Sequence, residues 1–243
     1  MTQNGYLDRV IVAQMSLDAL GRGSYLEIGV DGGSSFVPIK AKKKWGVDPS
    51  HNLSVKRLLM YEVLSRLHVR SERIFRMTSD EFFCKNIELL ASSGIDVCLV
   101  DGLHTYEQAL RDVLNATKYL KPNGIILIHD CNPGTELMAR PAPNIAYLMH
   151  QNIPTWNGAW SGDVWKTIVH LRALRKDLNT FVLDCDTGLG VVTRGCPEEP
   201  PSCTENDIRS MDYGVLCHKR KELLGLRPGE CFEAFLQSHL QNR

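Results

Sequence analysis

The stretch GIDVCLVDGLHTYEQALRD, residues 94–112, ends an apolar run on the carboxylate of Asp101 and sets the imidazole of His104 three residues further on. An imidazole titrates near neutral pH, as a general base must, so His104 is the candidate catalytic base. Aspartate and glycine also close many strands and cap many helices, and on the residues alone a structural role for both side chains stays open.

Two further segments suggest a nucleoside site. YLEIGVDGGSSF places Gly29, Gly32 and Gly33 in a tight turn that lets a ligand approach the backbone, with Ser34 and Ser35 available to cap a following helix. The G-x-G-x-x-G fingerprint is not met, and glycines in such a turn are a weak signal by themselves. Twenty-one residues after Glu27, GVDPS ends an apolar run at Asp48. An acid there is placed to accept hydrogen bonds from both ribose hydroxyls; the alternative is a strand-ending aspartate before Pro49. Glu27 lies inside an apolar run, where an unpaired charge is costly, so it is expected to meet a polar partner near the ligand.

These residues need a scaffold that brings the ends of several apolar runs to one edge. Short apolar runs alternate with helix-length segments up to about Gly195, which predicts an α/β domain over residues 1–195: a Rossmann-like, seven-stranded, mostly parallel sheet with helices on both faces. The strands are expected at 24–30, 44–48, 73–78, 95–101, 124–130, 180–183 and 190–193, and the helices at 53–67, 82–92, 105–120 and 163–174. Lys121-Pro122-Asn123-Gly124 ends the 105–120 helix with a proline and a glycine. DCDTGL, residues 184–189, is too short for a parallel crossover, so the last two strands should form an antiparallel terminal hairpin at a sheet edge. Residues 196–243 turn polar and proline-rich before the helical KRKELLGL. They are expected to form a C-terminal extension docked on the core or on a partner subunit, as in a homo-oligomer.

Composition excludes several classes. Lys plus Arg and Asp plus Glu both number 28 in 243 residues, so no global field favours nucleic acid or a membrane surface. The one dense basic run, Lys40 with Lys42, Lys43 and Lys44, reads as a solvated loop. No run reaches membrane-spanning length, and MTQNGYLDRV has an acid and amides where a signal peptide needs an apolar core. Cys84, Cys98, Cys131 and Cys185 sit in or beside apolar segments, and Cys196, Cys203, Cys217 and Cys231 show no C-x-x-C spacing. A soluble protein of the reducing cytoplasm, without a zinc cluster, is expected.

Taken in order, YLEIGVDGG, GVDPS, MTSDEFF, VDGLHTYEQALRD, KPNGIILIHD and WSGDVWK resemble class I S-adenosylmethionine-dependent methyltransferases, in particular the branch of small-molecule O-methyltransferases that includes antibiotic-sugar enzymes. The resemblance covers most of residues 20–195. It implies a cofactor whose methionine part lies on the turn of Glu27, Gly29 and Gly32, whose ribose meets Asp48 and whose adenine lies by Ser79 and Asp80, with Asp101 also bordering it.

In metal-dependent members of that family one carboxylate ends the fourth strand and a pair of ligands ends the fifth. This implies Asp101, His129 and Asp130 as ligands of a divalent cation, magnesium by resemblance, although His129 stands where the family more often has an acid. Adjacent strands end about 5 Å apart, so both acids reach one ion, while an imidazole ligand tilts the site toward manganese, iron or zinc. A hydroxyl beside such a cation loses its proton more easily, and His104 is placed to take it. Substrate is expected to enter over residues 132–162, where Trp156 and Trp160 either stack on it or anchor the loop. The expected reaction is methyl transfer to a hydroxyl of a small polar molecule, such as a sugar or a decorated natural product. A metal-dependent hydroxylase on the same scaffold and a non-catalytic nucleoside-binding module are the alternatives.

Overall fold

The structure, a computed structural model, describes residues 7–54, 56, 71–154 and 156–241. Its strands form one eight-stranded sheet in the order β3-β2-β1-β4-β5-β7-β6-β8. The parallel part comprises β1 (Ser24–Ile28), β2 (Lys43–Val47), β3 (Ser71–Phe75), β4 (Ile95–Val100) and β5 (Leu120–Ile128). β1 and β4 are buried along their whole length. Both faces are covered, which is why SYLEI and IDVCLV read as near-continuous apolar runs. Side chains alternate between two cores, one holding Leu26, Ile28, Cys98, Val100, Ile126 and Ile128 and the other Tyr25, Val97, Leu99, Ile125 and Leu127.

The register brings the strand ends level. Ile28 pairs with both Val47 and Val100, and Val100 pairs with Ile128, so the chain leaves four central strands along one edge. Strand order reverses between β1 and β4, the kind of switch point at which open α/β sheets bind ligands.

β6 (Leu178–Asp184) and β7 (Leu189–Arg194) form the antiparallel hairpin, with β7 against β5. The hairpin does not close the sheet: β8 (Leu226–Pro228) adds parallel to β6, giving eight strands rather than seven. Three residues ending in proline carry no strand periodicity. Their place follows from the flanking helices, α8 (Tyr213–Leu224) burying Leu216, Leu223 and Leu224 and α9 (Cys231–Gln241) burying Phe232 and Leu236.

The helices depart from expectation in three places. α1 (Arg9–Ala19), unforeseen in the sequence, is capped by Asp8, which accepts from the Ile11 amide at 2.8 Å, and packs Val12, Ala13 and Leu17 inward. No regular helix follows the glycine turn. Residues 34–38 form turns, because the chain between Gly33 and β2 is short and contains Pro38. The helix expected at 82–92 is two, α2 (Ser79–Lys85), opened by a Thr78–Glu81 capping box, and α3 (Ile87–Ser93), with Asn86 between them. α4 (Tyr106–Tyr119) and α6 (Trp165–Leu174) fall close to their expected positions, while α5 (Ile145–His150) and α7 (Glu205–Ser210) are short. The helix expected at 53–67 lies mostly outside the described residues.

Lys44 contradicts the solvated basic run. It is fully buried, donating to the carbonyls of Phe36 and Ile39 at 3.0 Å each and lying 3.4 Å from Glu72, which supplies the partners that a buried ammonium requires. Cys84 is exposed rather than packed, and all eight cysteines are free. Among the described residues, no helix is long and apolar enough to cross a membrane.

Candidate active site

The edge at which the central strands end opens into a cleft of ≈ 730 Å³. Gly29 lines it at φ 90°, and a Cβ there would overlap the Asp101 carbonyl oxygen, so only glycine lets the β1 turn pass so close to the exit of β4. Asp48 ties that turn to β2. Its Oδ2 accepts from the amides of Val30 at 3.0 Å and Asp31 at 2.8 Å, and its Oδ1 from the amide of Ser50 at 2.7 Å. A carboxylate has about four acceptor sites, so three backbone bonds leave Asp48 about one for a ligand. Asp31 lines the cleft beside it and accepts from Asn52 at 3.0 Å.

Glu27 and Gly32 are not among the lining residues. Glu27 is fully buried below the turn, where Ser35 donates to it at 2.7 Å and the Tyr25 hydroxyl donates as well. Burial pushes its carboxyl up to about 7, against the opposing pull of those two hydrogen bonds. At the β3 end of the cleft stand Ser79 and Asp80, joined by Gln108 and Asp112 from α4. Gln108 donates to Ser79 at 3.2 Å and to Asp112 at 3.0 Å, and Arg111 donates to Asp80 at 2.8 Å.

At the other end, the residues that close β4 and β5 meet. Asp101 Oδ1 lies 3.5 Å from His104 Nε2 and 3.1 Å from His129 Nδ1, while Asp130 Oδ2 lies 3.3 Å from His104 Nδ1 and 3.2 Å from His129 Nδ1. Asp130 sits at φ 63°, a left-handed conformation rare outside glycine. Its Oδ1 accepts from Ser161 at 2.9 Å and Thr187 at 2.7 Å, contacts that hold the strained geometry in place. His104 Nδ1 is 2.8 Å from the Trp160 carbonyl. A carbonyl only accepts, which assigns a hydrogen to Nδ1, while Nε2 faces the Asp101 carboxylate.

Burial disfavours charge on all four groups, and hydrogen bonding outweighs it. The Asp101 carboxyl is raised by burial yet held well below the usual carboxylate range by His104 and His129, and Asp130 is lowered mainly by His129. His129 is opposed by its burial but raised to about 12 by Asp101, Asp130 and Asp186, and His104 is raised by the same two β-strand aspartates. One ligand atom each from Asp101, His104 and Asp130 lie within 4.8 Å of one another. Two carboxylates and an imidazole form a donor set that fits a divalent cation.

Sequence reasoning missed several residues here. Arg9 of α1 lies 3.4 Å from Asp101 and 3.1 Å from Asp186, and Asp186 lies 3.2 Å from His129 Nε2. The one signal for Asp186 and Thr187 was their place in the β6–β7 turn, which the sheet swings against the end of β5. Arg9 had none.

A doubly wound sheet whose switch point carries a glycine turn, an acid closing the next strand and a cleft across both is a Rossmann-like α/β architecture with its ligand cleft at the strand ends. Residues 26–131, less than half of the chain, match the family model described as a methyltransferase domain. Solved structures with a similar fold include an SAH-bound methyltransferase from Podospora anserina, PaMTH1, at 18% identity, covering 78% of this chain and 80% of that one with a TM-score of 0.48. The O-methyltransferase from Bacillus cereus in complex with SAH has 12% identity, covers 79% and 84%, and gives a TM-score of 0.48. MycE of the mycinamycin biosynthetic pathway, in complex with Mg, SAH and mycinamycin VI, has 17% identity, covers 82% and 50%, and gives a TM-score of 0.40. A comparison with curated proteins finds no match.

The bonds of Asp48 set an expectation that combines binding and stability. With Asp48 as the ribose acceptor that the resemblance implies, Asp48→Ala, which also frees three amides, should weaken S-adenosylhomocysteine binding at least about tenfold and cost about 2–4 kcal/mol of stability. Calorimetry and thermal melting check both, and an unchanged dissociation constant would put the ribose elsewhere.

Proposed function

We propose that the protein is an O-methyltransferase acting on a hydroxyl of a small polar molecule, such as a sugar or a decorated natural product, assisted by a divalent cation. The observation that carries this reading is the convergence of Asp101, His104 and Asp130 at one end of a nucleoside-sized cleft. Asp101 and Asp130 would hold the cation, with magnesium the first candidate. When bound, S-adenosylmethionine supplies an electrophilic methyl group and the cation makes the acceptor hydroxyl more acidic.

The protein's own residues do the rest. His104 takes the hydroxyl proton on Nε2 while its Nδ1–H stays on the Trp160 carbonyl, which fixes the ring. Asp101 and Asp130 stabilise the imidazolium that forms. His129 and Arg9 hold the two acids in place and offset their charge. The Trp160 ring, 5.2 Å from that of His104, shields the base from water. Around the cleft mouth α5 exposes Ile145, Tyr147 and Met149, and Ile145 lines the cleft, which supports an acceptor with an apolar face beside its hydroxyl. Eight free thiols support a reducing, cytoplasmic setting. The catalytic unit is residues 1–195, with 196–243 as its extension.

The test is transfer of labelled methyl from S-adenosylmethionine, with magnesium present, to a panel of sugars, phenols and glycosides beside amine and thiol acceptors. Label on a hydroxyl oxygen is expected. Label on nitrogen or sulfur alone would overturn the reading.

A further inference from the structure

We propose that a second cavity beside the cleft holds a neighbouring, uncharged sugar ring of the acceptor, so that the protein methylates a disaccharide or longer neutral glycan in preference to a lone sugar. The inference rests on the hydroxyl-acceptor reading above and narrows it. The cavity, of ≈ 560 Å³, lies between the 135–141 segment, the start of α6 and the junction of α7 with α8. That volume falls in the roughly 300–1,000 Å³ span of small-molecule sites. The cavity also shares a wall with the cleft. The Met138 carbonyl accepts from the amides of Ser161 at 2.9 Å and Gly162 at 3.0 Å. The Trp160 indole, which lines the cleft, donates at 2.8 Å to the carbonyl of Arg140, which lines the second cavity. One pair of hydrogen-bonded segments therefore separates the two spaces. The wall sits directly on the turn that carries His104, since a Cβ at Gly162 would overlap the His104 carbonyl oxygen.

Two buried polar groups on the cavity wall belong to WSGDVWK, and the mechanism above uses neither. Lys166 is 7% exposed, and of its three ammonium hydrogens one goes to the Arg209 carbonyl at 3.1 Å. Asp163 Oδ2 is 3.9 Å from that ammonium, beyond hydrogen-bonding distance. Asp163 accepts from the Tyr106 amide at 2.8 Å and from its own amide, which fills about half of the four or so acceptor sites of a carboxylate. A donor and an acceptor set side by side match a vicinal diol, one hydroxyl accepting from the ammonium and its neighbour donating to the carboxylate. Leu137, Met211 and Tyr213 line the same cavity and offer apolar surface to the C–H face of a pyranose. Arg140 and Lys166 are offset by Asp163 and Asp212, so the wall has no surplus of positive charge with which to select a phosphate. A purely structural Lys166, tying α6 to α7, would stabilise the fold without making turnover depend on a second ring.

The experiment measures kcat/KM of the full chain for methyl transfer, with magnesium, to methyl glycosides of neutral monosaccharides and to disaccharides carrying the same terminal rings. Wild type is expected to use the best disaccharide about tenfold to 100-fold better than the matching methyl glycoside, the return on one or two charge-assisted hydrogen bonds. Lys166→Met removes the donor, and Glu136→Trp places an indole at the exposed mouth of the cavity. Each should bring the gain below about threefold, chiefly through KM, while the methyl glycoside rate of Glu136→Trp is unchanged. A wild type that uses mono- and disaccharides alike overturns this inference alone, as does a gain that survives both substitutions. A larger gain for a uronic or phosphorylated second ring overturns the assignment of a neutral one. Transfer to no hydroxyl at all overturns the acceptor reading with it. Should Lys166→Met fold poorly, the wild-type comparison and the surface variant Glu136→Trp still decide the matter.

Discussion

His104→Ala should lower kcat about 100-fold to 10,000-fold at neutral pH, the usual span for losing a general base, while S-adenosylhomocysteine still binds. The expectation comes from geometry before it comes from titration. Nδ1 is held by the Trp160 carbonyl at 2.8 Å, and Nε2 faces Asp101 at 3.5 Å. The two aspartates raise the imidazole above its ordinary value against the opposing effect of burial. A base works only when neutral, so wild-type activity should fall as pH drops through that raised value, placing the acid limb above the ordinary range of an imidazole. A cation on Asp101 and Asp130 removes part of the field that raises His104, so saturating metal should move the limb toward lower pH. In His104→Ala the limb should vanish, and hydroxide at high pH should restore part of the rate. A variant with normal turnover and an unaltered profile would return His104 to its role as a wall of the cleft.

What the sequence disclosed about this site follows from the range of the interactions involved. β1 and β4 were legible because strands covered on both faces must be apolar throughout, and Asp48, Asp101 and Asp130 were legible because each breaks such a run at its exit. Their meeting at one edge needed only the parallel topology that the alternating pattern implies. Arg9 and Asp186 were not legible in this way. They lie 177 positions apart and bracket His129 only because α1 and the β6–β7 turn fold over the same strand end, which no local pattern encodes. Lys44 misled because a lysine in a basic run reads as solvated, and its burial depends on carbonyls that the turn after Phe36 happens to present. Asp48 shows a subtler limit. Its type and place signalled a ligand acceptor, but three of its bonds go to the chain itself. Asp112 carried a signal that was overlooked: an acid beside the buried stripe of Ala109, Val113 and Ala116.

Removal of the divalent cation should have an effect at least as large as loss of His104, and a different signature. In excess chelator, turnover should fall to background and return when magnesium or manganese is restored, while S-adenosylhomocysteine affinity changes less than about threefold, because the cation acts on the acceptor hydroxyl rather than on the nucleoside. Asp101→Asn and Asp130→Asn should mimic chelation at low metal concentration, and raising the metal should recover more of the rate for Asp130→Asn, since Asp101 also anchors His129 and Arg9. The electrostatics make the outcome a true choice between mechanisms. The cluster already contains two cations beside its carboxylates, His129, raised to about 12, and Arg9, whose Nε is buried without a hydrogen bond 3.4 Å from Asp101. A divalent ion must bind despite them, so Arg9→Met should tighten manganese binding measured without cofactor, by removing a competing positive charge. Full turnover in excess chelator, together with unchanged manganese affinity in Arg9→Met, would mean that the guanidinium and imidazolium supply the positive charge at this site and that Asp101 and Asp130 serve to hold them.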